Sequence, residues 1–233
     1  MVKTGIIAGT AFRRIALSED AKSVEVSTRF GKVTVFESND MVFLPRHGRE
    51  DDTPPHRINH RANLSAFREL GVPRIIGVNS VGSLKPEFPP KTLVIPHDYI
   101  NLWAIQTLFD DEIRHITPRL NEDLRQLILR VAKNRNIAVV GEGIYIQTTG
   151  PRLETRAEIR MLRNFGELVG MTMANEATLA EELSIPYASI CSVDNYCHGI
   201  SQTPLKAEEI LRNARSNMER VKSLVLAIIE EVT

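Results

Sequence analysis

The stretch RIIGVNSVGS, residues 74–83, decides how the rest of the chain is read. Its first six residues are mostly apolar and end at Asn79, and Ser80-Val81-Gly82-Ser83 follows at once. A short apolar run that stops at small polar residues predicts a strand buried on both faces. The design recurs. GIIA at 5–8 runs into Gly9-Thr10, and residues 92–96, 139–147, 168–171 and 186–193 are further apolar strands. Residues 32–37 and 41–44 predict a strand pair turning at Asn39-Asp40. Residues 59–70, 121–134, 154–164 and 174–183 have helical spacing, and 206–231 predicts a long terminal helix. Residues 101–116 read as a loop with a short helix. Strands alternating with helices predict an α/β fold, one sheet with helices on both faces. Ligands of such folds sit beyond the carboxyl ends of the strands. The positions to inspect are therefore Gly9-Thr10, Arg46-His47, Asn79-Ser80, Met171-Thr172 and Asp194-Asn195.

Composition narrows the function. Lys+Arg and Asp+Glu are 29 each, and this balance argues against a nucleic-acid or membrane-surface role. Cys191 and Cys197, six apart, fit neither a disulfide framework nor a zinc spacing, so reduced thiols are expected. The N-terminus lacks a signal-peptide layout, and no apolar stretch approaches the ~18 residues needed to span a bilayer. The expectation is a cytoplasmic protein.

The strand ends carry small polar and cationic groups. Thr10 after a glycine exposes backbone N–H groups and a hydroxyl to an anion; equally, it is a capping turn. Arg46 offers a planar fork matched to phosphate, and His47 beside it adds a donor; a surface Arg with a hydrogen-bonded His reads the same way. Asn79 and Ser80 precede Gly82, so an amide, a hydroxyl and backbone N–H groups converge there. Met171 suits either a core or the face of a sugar, with Thr172 as a further hydroxyl donor. Glu154 stands at a predicted helix start, where it favours the helix dipole or accepts a ring N–H. Asn195, just past a strand, is a turn residue or an amide that presents donor and acceptor together.

Taken in order, Gly9-Thr10, Arg46-His47-Gly48, Asn59 with Ala62-Asn63, Asn79 to Ser83, Gly150-Pro151-Arg152 and Gly170-Met171-Thr172 with Glu176 downstream resemble the trimeric purine nucleoside phosphorylases. The resemblance is to the branch that includes methylthioadenosine and methylthioinosine phosphorylases, and it runs over most of the chain. It implies a single nucleoside phosphorylase-like domain over 1–233, with a twisted mixed central sheet flanked by helices. It implies a phosphate site of Thr10, Arg46, His47, Asn79, Ser80 and Thr172, with Met171 on the ribose. Glu154 and Asn195 would read the base and carry the catalysis, with Asp194 and Cys197 near it. His115 resembles a histidine that reaches into a neighbouring subunit's site, which makes a homotrimer, or a dimer of trimers, part of the expectation. Asn195 with Glu154 matches the 6-oxopurine pattern. A one-residue register shift would place the Asp194 carboxylate there instead, the 6-aminopurine pattern; counting from 188–191 favours Asn195.

The chemistry so implied is phosphorolysis, with inorganic phosphate as co-substrate and neither cofactor nor metal. Three rivals stay open: a 6-aminopurine phosphorylase acting on methylthioadenosine, a hydrolase that uses water, and a catalytically silent nucleotide-binding protein on the same fold.

Overall fold

The computed structural model describes residues 3–9, 21–48, 50, 53–202 and 207–233. The strands are β1 (Thr4–Ala8), β2 (Lys22–Thr28), β3 (Gly31–Glu37), β4 (Met41–Pro45), β5 (Ile75–Ser83), β6 (Leu93–Val94), β7 (Asp98–Ile100), β8 (Ile144–Gln147), β9 (Leu168–Gly170) and β10 (Tyr187–Tyr196). The helices are α1 (His60–Glu69), α2 (Glu122–Asn134), α3 (Arg156–Leu162), α4 (Met173–Glu182) and α5 (Ala207–Val232). The strands form one mixed sheet in the order β2-β3-β4-β1-β5-β9-β8-β7, with β10 paired to β5 and β6.

Helices cover both faces because the central strands are apolar on both. In β1, Ile7 joins a core with Leu64 and Phe67 of α1 and Ala177 of α4. Its neighbours Ile6 and Ala8 point the other way, toward Ile128 and Val131 of α2 and Leu224 and Ile228 of α5. Each such fully buried Leu, Ile or Phe contributes about 1.5–3 kcal/mol. Two helices open on caps legible in the chain: Asn59 Oδ1 accepts the Ala62 N–H at 3.0 Å, and Asn121 Oδ1 accepts the Leu124 N–H at 2.9 Å.

One irregularity of the sheet positions the site. β5 runs parallel to β1 only as far as the Ala8–Val78 pair, and antiparallel to β9 only from the Gly82–Val169 pair onward. Residues 79–81 lie in the gap between the two ladders, held on their other side by β10. The sheet therefore splits along β5, at a switch in strand direction where α/β sheets open a crevice.

The structure departs from the sequence reading in several places. Residues 101–116 contain no helix. They form an irregular, bent segment anchored by Glu182, whose carboxylate accepts the Leu108 N–H and the Thr107 hydroxyl, both at 2.7 Å. β2 went unpredicted because only Val24 and Val26 mark an otherwise polar KSVEVST. β8 starts at Ile144 rather than 139, since Gly141 and Gly143 break the run and Val140 makes only an isolated bridge to Val94. Glu154 does not start a helix. Thr155 caps α3 in a reciprocal box with Glu158, leaving Glu154 in the preceding loop. β10 extends to Tyr196, so Asn195 lies inside the strand rather than after it. No helix among the described residues is long and apolar enough to cross a membrane.

Candidate active site

A cavity of about 310 Å³ opens at the gap in the sheet. Its wall includes Arg46, His47, Asn79, Ser80, Met171 and Thr172 at one side, and Glu154, Asp194, Asn195 and Cys197 at another. Thr10 lies outside the described residues, although Gly9 before it lines the cavity. His115 is exposed and takes no part in this wall.

Arg46 follows β4 and is buried. Among the described residues, four of its five N–H groups are engaged. Nε and one Nη2 proton hold the Glu176 carboxylate, the other Nη2 proton donates to the Ile7 carbonyl at 3.0 Å, and Nη1 donates to the Val78 carbonyl at 2.8 Å. One Nη1–H is left for a group in the cavity. Glu176 is completely buried and also accepts the Tyr187 hydroxyl at 2.8 Å. Gly77 allows this, since a Cβ there would collide with the Tyr187 hydroxyl. The surface-Arg reading is thereby excluded: the guanidinium is buried and fixed, at the wall of the cavity.

The hydroxyl of Thr172 is directed by its neighbours. Ser189 Oγ donates to Asn79 Oδ1 at 2.8 Å, which orients the amide so that Nδ2 donates to Thr172 Oγ1 at 2.9 Å. Having accepted there, Thr172 has its own proton to give to the cavity. The start of α4 does not offer its backbone donors. The Thr172 and Met173 N–H groups go to the Tyr145 hydroxyl and that of Ala174 to Gln147 Oε1. An anion here meets side-chain donors in place of helix-end amides.

His47 Nδ1 lies 2.8 Å from the Thr53 carbonyl, so Nδ1 carries the proton. The ring then donates through Nε2 only when it is protonated. This corrects the expectation that His47 simply adds a donor. Burial first, then the Arg46 charge, push the imidazole of buried His60 down to about 3.

At the other side, β10 carries a bulge. Val193 pairs with Val81 and Asn195 with Gly82, so Asp194 is an extra residue without a partner on β5. Simple alternation would turn only one of two neighbours inward; the bulge brings both to the cavity. Asp194 Oδ1 accepts the Ser192 hydroxyl at 2.6 Å, while Oδ2 is buried without a hydrogen bond among the described residues. Burial pushes this carboxyl up to about 6, with the Ser192 hydroxyl opposing. Asn195 donates one Nδ2 proton to the Tyr196 carbonyl at 3.0 Å. Glu154 Oε1 accepts the Thr148 hydroxyl at 2.7 Å. Burial, reinforced by the Glu154 charge, raises the Cys197 thiol, which stays protonated at neutral pH. Among the described residues no group of three or more His, Cys, Asp or Glu side chains could hold a metal ion.

The profile of the Phosphorylase superfamily matches residues 3–230. The chain belongs to this superfamily. It is an enzyme of the nucleoside phosphorylase type. It is 40% identical to the "Probable 6-oxopurine nucleoside phosphorylase" of Archaeoglobus fulgidus, over 98% of this chain and 96% of the relative. It is 37% identical to the "Probable S-methyl-5'-thioinosine phosphorylase" of Methanocaldococcus jannaschii, over 97% and 90%. Among solved structures, the methylthioadenosine phosphorylase of Schistosoma mansoni in complex with adenine superposes with a TM-score of 0.90 at 26% identity, over 100% of this chain and 92% of that one.

Several residues of this phosphorylase site carry no local signal in the sequence. Tyr187, Tyr145, Gln147 and Ser189 read as strand residues, and each reaches the site only through a side-chain hydrogen bond across the sheet. α5 adds Ile210, Ala214 and Met218 to the cavity wall, on a face that helical periodicity assigns to packing. His198 also lines the cavity.

Proposed function

We propose that this phosphorylase cleaves 6-oxopurine nucleosides, giving the free base and a ribose 1-phosphate. The observation that carries the reading is that one cavity gathers both sets of residues, the anion donors around Arg46 and the base-reading pair Glu154 and Asn195. Phosphate sits where the remaining Arg46 N–H, the Thr172 hydroxyl and the Ser80 hydroxyl converge, with His47 beside it, beneath a ribose packed on Met171. A phosphate oxygen bonds to C1′ as the C1′–N9 bond breaks, and that electron pair leaves on the purine. The second Asn195 Nδ2 proton meets the charge growing at O6 and N7, and Glu154 accepts the N1–H. Fixed donors of this kind are worth about 3 kcal/mol each in the transition state. Ile210, Ala214 and Met218 form an apolar wall suited to a 5′-methylthio group as well as to a hydroxymethyl.

The test is base release from inosine, guanosine, methylthioinosine, adenosine and methylthioadenosine, with and without phosphate. Expected are strict phosphate dependence, faster turnover of the 6-oxo members, and methylthioinosine cleaved at least as well as inosine. Turnover without phosphate would establish a hydrolase. A specific observation favours a second reading, a 6-aminopurine enzyme: the Asp194 carboxylate, rather than an amide alone, lines the same wall. It predicts methylthioadenosine as the best substrate, and relatives named S-methyl-5'-thioadenosine phosphorylase exist at 36% identity in Pyrococcus furiosus.

The same proposal includes a trimer. His115 and the exposed Leu102, Trp103, Ile105 and Ile113 lie on one irregular segment, which in a trimer reaches the neighbouring site. Light scattering should give three times the chain mass of 26.2 kDa, or six times for a dimer of trimers; a monomer at micromolar concentration would refute it.

A further inference from the structure

A second cavity, of about 280 Å³, adjoins the one that holds the proposed base-reading residues, and Glu154 lines both. The carboxylate thus stands as a partition with open space on either side. Its orientation is set by Thr148. This residue follows β8, and its N–H donates to the Gly170 carbonyl at 2.8 Å, extending the β8–β9 ladder by one residue. Its hydroxyl has one proton and two acceptors in view, the Glu154 carboxylate at 2.7 Å and the Gly170 carbonyl at 3.5 Å. The shorter, charge-assisted bond takes it. The nearest cation in the second cavity, Arg152, is already held by both oxygens of Glu158 at 2.8 Å. The hydroxyl of Thr148 is therefore the tether that keeps Glu154 facing the base.

We infer that Thr148 is a specificity-determining residue, acting through Glu154 to select purines that carry a proton on N1. The inference rests on the 6-oxopurine reading above. A carboxylate held toward the base by a donor is fixed as an acceptor. It takes the N1–H of a 6-oxopurine and meets the N1 lone pair of a 6-aminopurine with repulsion. Without the tether the carboxylate turns into the second cavity, the acceptor is lost to the first substrate, and the repulsion is lost to the second. The two effects pull the substrate ratio the same way.

The experiment compares the parent with Thr148→Val, Thr148→Ala and Thr148→Ser, measuring kcat/KM for inosine and adenosine at saturating phosphate. Val keeps the shape without the hydroxyl, Ala removes both, and Ser keeps the hydroxyl. Val and Ala should lower the inosine-to-adenosine ratio by about tenfold or more, the loss expected for a hydrogen bond to a charged group. Ser should hold the ratio within about twofold of the parent, on the same principle. A Val or Ala variant that keeps the parent's ratio, or that loses both activities in equal proportion, overturns the role of Thr148 and leaves the substrate reading intact. A parent that does not prefer inosine overturns the reading beneath it.

Discussion

Glu176→Ala should unfold roughly 10 °C below the parent protein, because losing one partner of a buried ion pair costs about 3–5 kcal/mol and each kcal/mol moves Tm by a few degrees in a chain of this size. The reason is local. Arg46 is buried and Glu176 completely so, and the carboxylate answers two of the guanidinium's N–H groups while also taking the Tyr187 hydroxyl. Deleting it strands a cation in the core and leaves a tyrosine hydroxyl unpaired. Phosphate saturation should fail as well, since the engaged N–H groups fix the Arg46 guanidinium at the cavity wall. A double variant, Arg46→Met with Glu176→Leu, separates the two roles. Replacing a buried pair by apolar residues of similar volume is often neutral or better. The double variant should regain most of the thermal stability, and phosphate-dependent turnover should stay lost. A Glu176→Ala protein melting within about 2 °C of the parent, at most about 1 kcal/mol, would show that the pair does not carry this load.

Asp194→Asn should make the protein more stable at pH 8 and leave it nearly unchanged near pH 4. The Asp194 carboxyl is raised from 3.8 to about 6 in the folded chain, chiefly by burial. A raised acid stabilises the fold below its unfolded value, where both states are protonated at this group, and that contribution is lost as pH climbs through about 6. The loss is about 3 kcal/mol once the group is ionised in both states, from 1.36 kcal/mol per unit. Asparagine does not titrate and can still accept the Ser192 hydroxyl. The Tm gap between variant and parent should therefore open by roughly 5–10 °C from pH 4 to pH 8. A gap that stays constant across that range would mean Asp194 does not titrate in the folded chain, and that its unbonded oxygen is no burden.

The alternation of apolar runs and helical spacing made the α/β sheet readable, and the strand ends named most of the cavity wall. What stayed hidden did so for identifiable reasons. β2 buries little beyond Val26, so its pattern is nearly that of a loop. The reading of 186–193 as a complete strand failed because a bulge carries pairing on to Tyr196. Alternation forces a choice between Asp194 and Asn195; a bulge abolishes the choice, and no residue in VDNY announces one. Glu154 falls one residue short of the helix because Thr155 and Glu158 form the capping box that starts it. Glu176 was visible only as a companion of Met171-Thr172. A glutamate in a helix is ordinarily a surface residue, and nothing short of the fold shows that it closes on Arg46, 130 residues away.

Arg46 touches β1 through Ile7, β5 through Val78 and α4 through Glu176, so it rivets together the two sides of the split in the sheet. The group proposed to face the anion is thus also one that the architecture leans on, and on that proposal drift at this position is penalised twice. Glu154 and Asn195, proposed to read the base, stand on a loop and near a strand end, half-buried. Such a division leaves a lineage free to exchange bases while the seat of the nucleophile stays frozen. It is the arrangement from which relatives with different purines and different 5′ groups can descend without rebuilding the fold.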